Sequence, residues 1–289
     1  MKLGRVYGDL RLIVELFVLA NLAFLALDIY LAHSVNAFRH AAEWIPFVFS
    51  LAASVALLVG LVAQRPRVGH RIGLVVGWAA VLVGVAGMIF HLDSHFFEAR
   101  TIKSLVYTAP FVAPLAYTGI GLLLILNRTT DASSEDWARW VLVLALGGFV
   151  GNFGLSLADH AQNGFFDWRE WLAVIFAAIG IGFLVTATFL QPSLRFIQWC
   201  AGVMLAEIVI AIIGFVLHAR ANLHGPSAGM FDNFVFGAPV FAPLLFANLA
   251  LLALIGLWAL SRMVSAFGGM ERSADHQGRA GRTRTSSLP

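Results

Sequence analysis

The chain has 289 residues, of which 60% are hydrophobic and only 12% are charged, and its formal net charge is +3. This balance excludes a water-soluble globular domain and indicates an integral membrane protein. The single Cys200 excludes a disulfide framework. The small positive charge is explained by membrane topology and gives no reason to expect nucleic acid binding.

Eight apolar stretches long enough to cross a bilayer follow one another along the chain. Each is most simply a helix, because an isolated strand cannot satisfy its backbone hydrogen bonds in lipid. The loops between them are short, so consecutive helices are expected to be antiparallel neighbours. The predicted spans cover residues 11–31, 45–63, 72–92, 105–126, 138–158, 171–190, 196–217 and 235–261.

The positive-inside rule orients these spans. Fourteen of the nineteen Lys and Arg residues fall on the side that holds the termini, and five fall on the other side. Both termini are therefore predicted to be cytoplasmic. No cleavable signal peptide pattern precedes the first span, which is expected to act as its own insertion signal. We expect a protein of the bacterial inner (plasma) membrane, with the lipid bilayer as its main partner.

The sequence contains an internal repeat. Four features of the first half recur in the same order in the second half, at offsets of 131, 127, 127 and 129 residues. They are Asn21 with Asp28 and Asn152 with Asp159, Glu43-Trp44 and Glu170-Trp171, His91 and His218, and the proline pairs Pro110/Pro114 and Pro239/Pro243. The sequence thus predicts two duplicated four-helix units with pseudo-twofold symmetry, over 1–128 and 129–262, followed by a disordered cytoplasmic tail over 263–289.

The repeated acids and histidines fall at one predicted depth, near the outer face. Carboxylate and imidazole suit iron, manganese or zinc, and four carboxylates beside hydrocarbon need compensating positive charge. This is the ligand inventory of di-iron and di-manganese carboxylate proteins, although the Glu-x-x-His pair of such sites is absent from the repeated set. We therefore predict a divalent-metal centre, most simply of one or two iron ions, with ligands Asp28, Glu43, His91, Asp159, Glu170 and His218.

Other polar residues near this centre are candidates for supporting roles. Asn21 and Asn152 should point into the bundle, where they either bond neighbouring helices or hold the ligands one layer above. His33, His95 and His160 lie at the same depth but do not share the offset of the aspartates. Haem b, with a histidine pair in each half, is the alternative cofactor. A salt-bridge network with the outer Arg and Lys residues is the alternative without a metal.

Glu207 is the one acid deep inside a predicted span, and it lies about three turns before His218 on the same helix face. An intramembrane acid is a functional candidate by default, so a catalytic proton-transfer role is predicted for it. A protonated side chain bonded to a neighbouring carbonyl is the structural alternative. The proline pairs are expected to bend spans four and eight and to open an aromatic-lined pocket beside the acids.

These features together predict a metal-dependent membrane oxidoreductase that acts at the outer, periplasmic face on a lipid or another apolar substrate. The alternatives are a metal-ion or proton-coupled transporter, a b-haem electron-transfer protein, a metal-dependent hydrolase and a non-catalytic subunit of a membrane complex. Partner subunits or a homo-oligomer are compatible with each of these functions.

Overall fold

The computed structural model describes residues 3–63 and 66–285, and it describes the side chains of residues 10–63 and 66–265. This part of the chain contains helices and no strand, so the predicted all-helical class is confirmed. A 3-10 turn at Ala41–Glu43 precedes α2. In chain order the helices are α1 (Leu3–Ser34), α2 (Trp44–Val62), α3 (Pro66–Asp93), α4 (Phe96–Ala99), α5 (Ile102–Tyr107), α6 (Leu115–Thr129), α7 (Glu135–Gln162), α8 (Glu170–Phe189), α9 (Leu194–Leu223), α10 (Met230–Phe236) and α11 (Ala242–Thr285).

Seven of the described helices are long and apolar enough to cross a membrane, namely α1, α2, α3, α7, α8, α9 and α11. Their outer faces carry large apolar side chains that no other helix covers, such as Val75 and Leu82, which are 69% and 70% exposed. Water would make such faces costly, whereas lipid tails solvate them. These helices are those of an integral membrane protein.

The predicted span over 105–126 is not a single helix, and here the structure corrects the sequence prediction. α5 ends at Tyr107 and α6 begins only at Leu115. The 15 residues of α6 rise about 22 Å, which is less than the roughly 30 Å of a bilayer core. Pro110 and Pro114 cause the break, because neither can donate a backbone hydrogen bond to a continuing helix.

The second proline pair acts in the same way. α10 ends at Phe236, and α11 begins at Ala242, immediately before Pro243. Proline is well tolerated at the first turn of a helix, where its missing N–H would have no partner. The proline pairs therefore start new helices, whereas the sequence predicted that they bend existing ones.

The long helices contact one another in two rings. In the first ring α1 packs on α2, α2 on α3, α3 on α6, and α6 on α1. In the second ring α7 packs on α8, α8 on α9, α9 on α11, and α11 on α7. Contacts of α6 with α7 and of α1 with α10 join the rings, and the buried apolar side chains of both form one continuous core. The predicted antiparallel neighbours are therefore adjacent.

Glycines allow α3 and α6 to pack closely. Gly77 on α3 and Gly121 on α6 face each other, and a Cβ atom at Gly121 would collide with the carbonyl oxygen of Gly77. Small residues at such crossings permit the backbone-to-backbone approach typical of membrane helices. This crossing holds α6 in place although it is too short to span the bilayer unaided.

The last helix, α11, runs to Thr285. The side chains of residues 266–289 lie outside the described part of the chain. The predicted disordered tail over 263–289 falls almost wholly on these residues, and it stays a prediction.

Candidate metal centre

The ends of α1 and α7 fold into the same turn. The carbonyl of His33 accepts a hydrogen bond from the backbone N–H of Phe38 at 3.2 Å, and the carbonyl of His160 accepts one from that of Phe165 at 3.1 Å. The two turns are 127 residues apart. His33 and His160 therefore occupy equivalent places in the two halves of the chain.

This equivalence changes which residues correspond between the halves. At the offset of 127, which the repeated glutamates share, Asp28 corresponds to Leu155 and Asp159 corresponds to Ala32. The Asn–Asp pairs recur at 131, so they are out of register by four residues, or about one helical turn. At the offset of the two turns His33 and His160 correspond to each other, whereas Asp28 and Asp159 do not.

Each turn presents its histidine to a repeated glutamate. The Nδ1 atom of His33 lies 3.8 Å from Oε2 of Glu43, and that of His160 lies 3.4 Å from Oε2 of Glu170. All four side chains are mostly buried, with exposures between 12% and 20%. Within the described residues, the Oε2 atom of each glutamate is buried without a hydrogen-bond partner. Such an oxygen is costly unless a proton or a cation satisfies it.

A second histidine stands near each pair and is held by a backbone carbonyl. Nδ1 of His91 is hydrogen-bonded to the carbonyl of Pro110 at 3.0 Å, and Nδ1 of His218 to that of Pro239 at 2.9 Å. An Nδ1–H that donates to a carbonyl leaves Nε2 unprotonated, which is the usual arrangement of a metal-binding histidine. The His91 ring centroid lies 6.2 Å from that of His33, and His218 corresponds to His91 at the offset of 127.

Polar side chains at the ends of α3 and α9 hold the loops that supply these carbonyls. Ser94 accepts a hydrogen bond from the backbone N–H of Ala109 at 3.0 Å. Asn222 accepts one from the N–H of Ala238 at 2.8 Å and donates one to its carbonyl at 2.8 Å. The residue that immediately precedes Pro110 or Pro239 is thus anchored in both halves.

A stacked aromatic pair lies beside each cluster. The rings of Phe38 and Trp44 stack with centroids 4.1 Å apart, and those of Phe165 and Trp171 stack at 3.9 Å. Each phenylalanine ring also lies 5.8 Å from the histidine of its turn. Both phenylalanines have a φ of 52°, a left-handed conformation that bulky residues rarely adopt. The turns therefore hold these rings over the histidines at some cost in backbone energy.

Three predicted site residues lie away from these clusters, and a fourth, Asp159, lies next to His160. Asp28 is half-buried further inside α1, whereas Asp159 is exposed and immediately precedes His160 near the end of α7. His95 is exposed in front of α4. Glu207 is fully buried, and the eleven residues that separate it from His218 correspond to about 16 Å along α9. The structure does not bring Asp28, His95 or Glu207 together with the repeated histidines and glutamates.

The two predicted asparagines differ from each other. Asn21 exchanges hydrogen bonds with Asn248 on α11. The Nδ2 atom of Asn152 is buried without a partner among the described residues. The bonds of Asn21 to Asn248 join two helices, which is the structural one of the two roles left open by the sequence.

The salt-bridge alternative finds no support in residues 10–63 and 66–265, where no Lys or Arg pairs with a repeated glutamate or aspartate. Arg169 immediately precedes Glu170 but binds Asp167. Hydrogen bonds from the side chain and backbone N–H of Arg169 lower the pKa of Asp167 to about 2. The outer cations therefore do not neutralise the repeated glutamates.

The six predicted ligands do not converge on one shared centre. Among the described side chains, no group of three or more His, Cys, Asp or Glu residues is arranged to hold a metal ion. The structure instead forms two separate clusters, defined as the first cluster (His33, Glu43, His91) and the second cluster (His160, Glu170, His218). In each of them one histidine and one glutamate already face each other.

Sequence reasoning missed Phe38 and Phe165, whose rings stack beside these clusters, although the sequence contained the signal. The pattern His-x-x-Asn-(Ala/Gly)-Phe, followed five residues later by Glu-Trp, occurs over 33–44 and again over 160–171. A search at the single offset of 127 would have paired Phe38 with Phe165 as well as the histidines.

No protein-family model, curated protein or solved structure matches this chain. The fold and the site together define an all-helical membrane protein with two histidine–glutamate clusters.

Proposed function

We propose that the protein is a membrane metal-binding protein built from two duplicated four-helix units, each with its own His–Glu–His site. The single observation that carries this proposal is the buried, unpartnered Oε2 atom that faces a histidine Nδ1 in both clusters. The duplication is supported by the two similar rings of helix contacts and by the two similar turns at His33 and His160.

The donor atoms fit a small divalent cation. Ligands about 2.1 Å from a tetrahedrally bound ion lie about 3.4 Å from one another. The N–O distances of 3.8 Å and 3.4 Å between facing histidines and glutamates are close to this spacing. No three side chains of a cluster are arranged as ligands as they stand, so Nε2 of His91 or of His218 would become the third donor only when a cation binds. Two histidines and one carboxylate are the ligand set of catalytic zinc sites and of non-haem iron(II) oxygenases, which keep positions open for water or substrate.

Iron in these sites would suit oxidoreductase chemistry, and an apolar molecule such as a lipid is the substrate class that the surroundings favour. Stacked aromatic rings lie beside each cluster. Next to the first cluster, a shallow groove of about 420 Å³ is lined by Trp44, Ile45, Val48 and Phe49 on the outer face of α2. A substrate could reach the cluster from lipid along this groove. By the positive-inside rule both clusters face the periplasm and both termini the cytoplasm.

Haem b is a second candidate cofactor, favoured by one observation. The His33 and His91 rings are 6.2 Å apart, which suits two imidazoles on opposite sides of one iron ion. The buried Oε2 of Glu43 would then remain without a partner, so we rank haem below a non-haem metal.

Elemental analysis of the purified protein, together with its optical spectrum, tests the proposal. We expect up to two equivalents of iron, manganese or zinc, with one lost in Glu43→Gln, one lost in Glu170→Gln and both lost in the double variant. Glu98→Gln, which changes an exposed glutamate of α4 outside both clusters, is the matched control and should keep both. Substoichiometric metal in the unchanged protein, or full metal in the double variant, overturns the proposal. A haem absorption spectrum would favour the second candidate.

A further inference from the structure

The two clusters differ in how their glutamates are held. In the first cluster, Nδ2 of Asn36 donates a hydrogen bond to Oε1 of Glu43 at 2.9 Å. Asn163 is the equivalent residue in the second half, and in the described part of the chain it makes no hydrogen bond to Glu170. Oε1 of Glu43 is therefore fixed, which leaves Oε2 aimed at the histidine.

A buried hydrogen-bonded chain lies beneath Glu43 and joins α2 to α6. The Tyr117 hydroxyl donates to the carbonyl of Pro46 at 3.0 Å and also bonds to the Ser50 hydroxyl. Because the phenol has one proton, Ser50 is the donor to Tyr117. Tyr117 is 2% exposed and Ser50 is 0% exposed, so no water competes. Pro46 lies in the first turn of α2, three residues after Glu43, and this chain fixes the turn that carries the glutamate.

The second half lacks this chain. The residue equivalent to Ser50 is Ala177, at the offset of 127, and the residue equivalent to Tyr117 is Phe246, at the offset of the proline pairs. Phe246 packs against Phe149 with ring centroids 6.0 Å apart and has no polar group to offer α8. Phe246 therefore cannot give the first turn of α8, which carries Glu170, the hydrogen bond that Tyr117 gives to the first turn of α2.

We infer that Asn36 and Tyr117 are positioning residues for Glu43, and that the first cluster therefore binds a divalent cation more tightly than the second. This inference rests on the proposed metal-binding function. A ligand that is already fixed in its binding geometry loses less conformational freedom when the cation arrives, so more of the interaction energy appears as affinity. Residues that hold a metal ligand typically change metal affinity by 10- to 100-fold when they are removed.

Cobalt(II) titration of the full chain in detergent, after chelation of resident metal, tests the inference. The visible spectrum of bound Co²⁺ reports its coordination. We expect two binding events of different affinity, with the tighter one lost in Glu43→Gln and the weaker one lost in Glu170→Gln. On the Glu170→Gln background, Tyr117→Phe should weaken the remaining site by about tenfold and change its Co²⁺ spectrum. Asn36→Ala should act in the same direction, and Asn163→Ala on the Glu43→Gln background is its matched control and should have no effect.

The outcomes separate the inference from the proposed function. Absence of Co²⁺ binding by the unchanged protein overturns the proposed function and the inference with it. Two sites of equal affinity, or a first site that Tyr117→Phe and Asn36→Ala both leave unchanged, overturn the inference alone. If Tyr117→Phe does not fold, Ser50→Ala removes the donor to the same hydroxyl and supplies the measurement. A change in stability without a change in the Co²⁺ spectrum would also count against a positioning role.

Discussion

Asn21 on α1 and Asn248 on α11 exchange two hydrogen bonds, from Nδ2 of Asn21 to Oδ1 of Asn248 at 3.1 Å and in the reverse direction at 2.6 Å. The two helices belong to different rings, so this amide pair links the halves within the apolar part of the molecule. An amide without a partner is costly in hydrocarbon, and each asparagine satisfies the other.

Asn21→Ala and Asn248→Ala are each expected to destabilise the protein by about 1 kcal/mol, because each leaves one amide unpaired. The double variant should cost less than the sum of the two, since neither amide then remains. Thermal unfolding in detergent measures all three. Asn152→Ala is the control: its Nδ2 atom is buried without a partner among the described residues, so little stability should be lost. Additive effects of the two substitutions would show that the pair is not coupled.

Because α3 and α6 cross closely, replacing glycine by alanine should affect stability differently at Gly121 and at Gly119. A methyl group at Gly121 would collide with the carbonyl of Gly77, whereas a Cβ at Gly119 meets no atom within 4 Å. Gly121→Ala should therefore lower the melting temperature and push the helices apart. Gly119→Ala should leave it unchanged or raise it, because alanine favours a helix by about 1 kcal/mol over glycine. Equal effects of both substitutions would argue against this crossing.

The two equivalent turns predict that exchanging alanine and glycine at one position of the turn has opposite effects on stability in the two halves. Ala37 has a φ of 55° and its counterpart Gly164 has a φ of 70°, both in the left-handed region. Glycine adopts this conformation without strain, and nothing lies within 4 Å of a Cβ built at Gly164. Ala37→Gly should therefore stabilise the protein, and Gly164→Ala should destabilise it, each by about 1 kcal/mol. Shifts of the same sign in the two melting temperatures would show that the turns are not alike.

Much of the fold was predictable from the sequence, because hydrophobic length alone identifies helices that cross a membrane. Seven of the eight predicted spans correspond to long apolar helices. The fourth span was predicted wrongly because the hydropathy of a residue does not depend on whether the residue can donate a backbone hydrogen bond. Pro110 and Pro114 are compatible with an apolar stretch and incompatible with an unbroken helix through it.

The candidate site was predictable in part. Glu43, His91 and their counterparts were identified, because they recur at one offset and lie at the same ends of their helices. Asp28 and Asp159 recur at an offset that differs by about one helical turn from that of the histidines, and such a shift preserves the spacing of Asn and Asp but changes the depth of both. The structure also separates the ligands into two clusters, and no sequence pattern states whether duplicated ligands meet on a common axis or stay within their own halves.

Measurements of stability can distinguish a catalytic role of Glu207 from a structural role. Its side chain is 1% exposed, and its Oε1 atom has no hydrogen-bond partner in the described part of the chain. A buried polar group without a partner lowers stability, so Glu207→Met should keep or raise the melting temperature. Glu207→Ala should lower the free energy of unfolding by about 2 kcal/mol, because this change also leaves a cavity.

Metal binding provides the second measurement for Glu207. About three helical turns separate it from His218, so both variants should bind Co²⁺ as the unchanged protein does. If Glu207 transfers a proton during the reaction, Glu207→Met will lose turnover while it keeps metal and stability. A destabilised Glu207→Met variant would instead show that the carboxyl group has a structural partner. Its contribution to stability would then explain an acid in the membrane without a catalytic role.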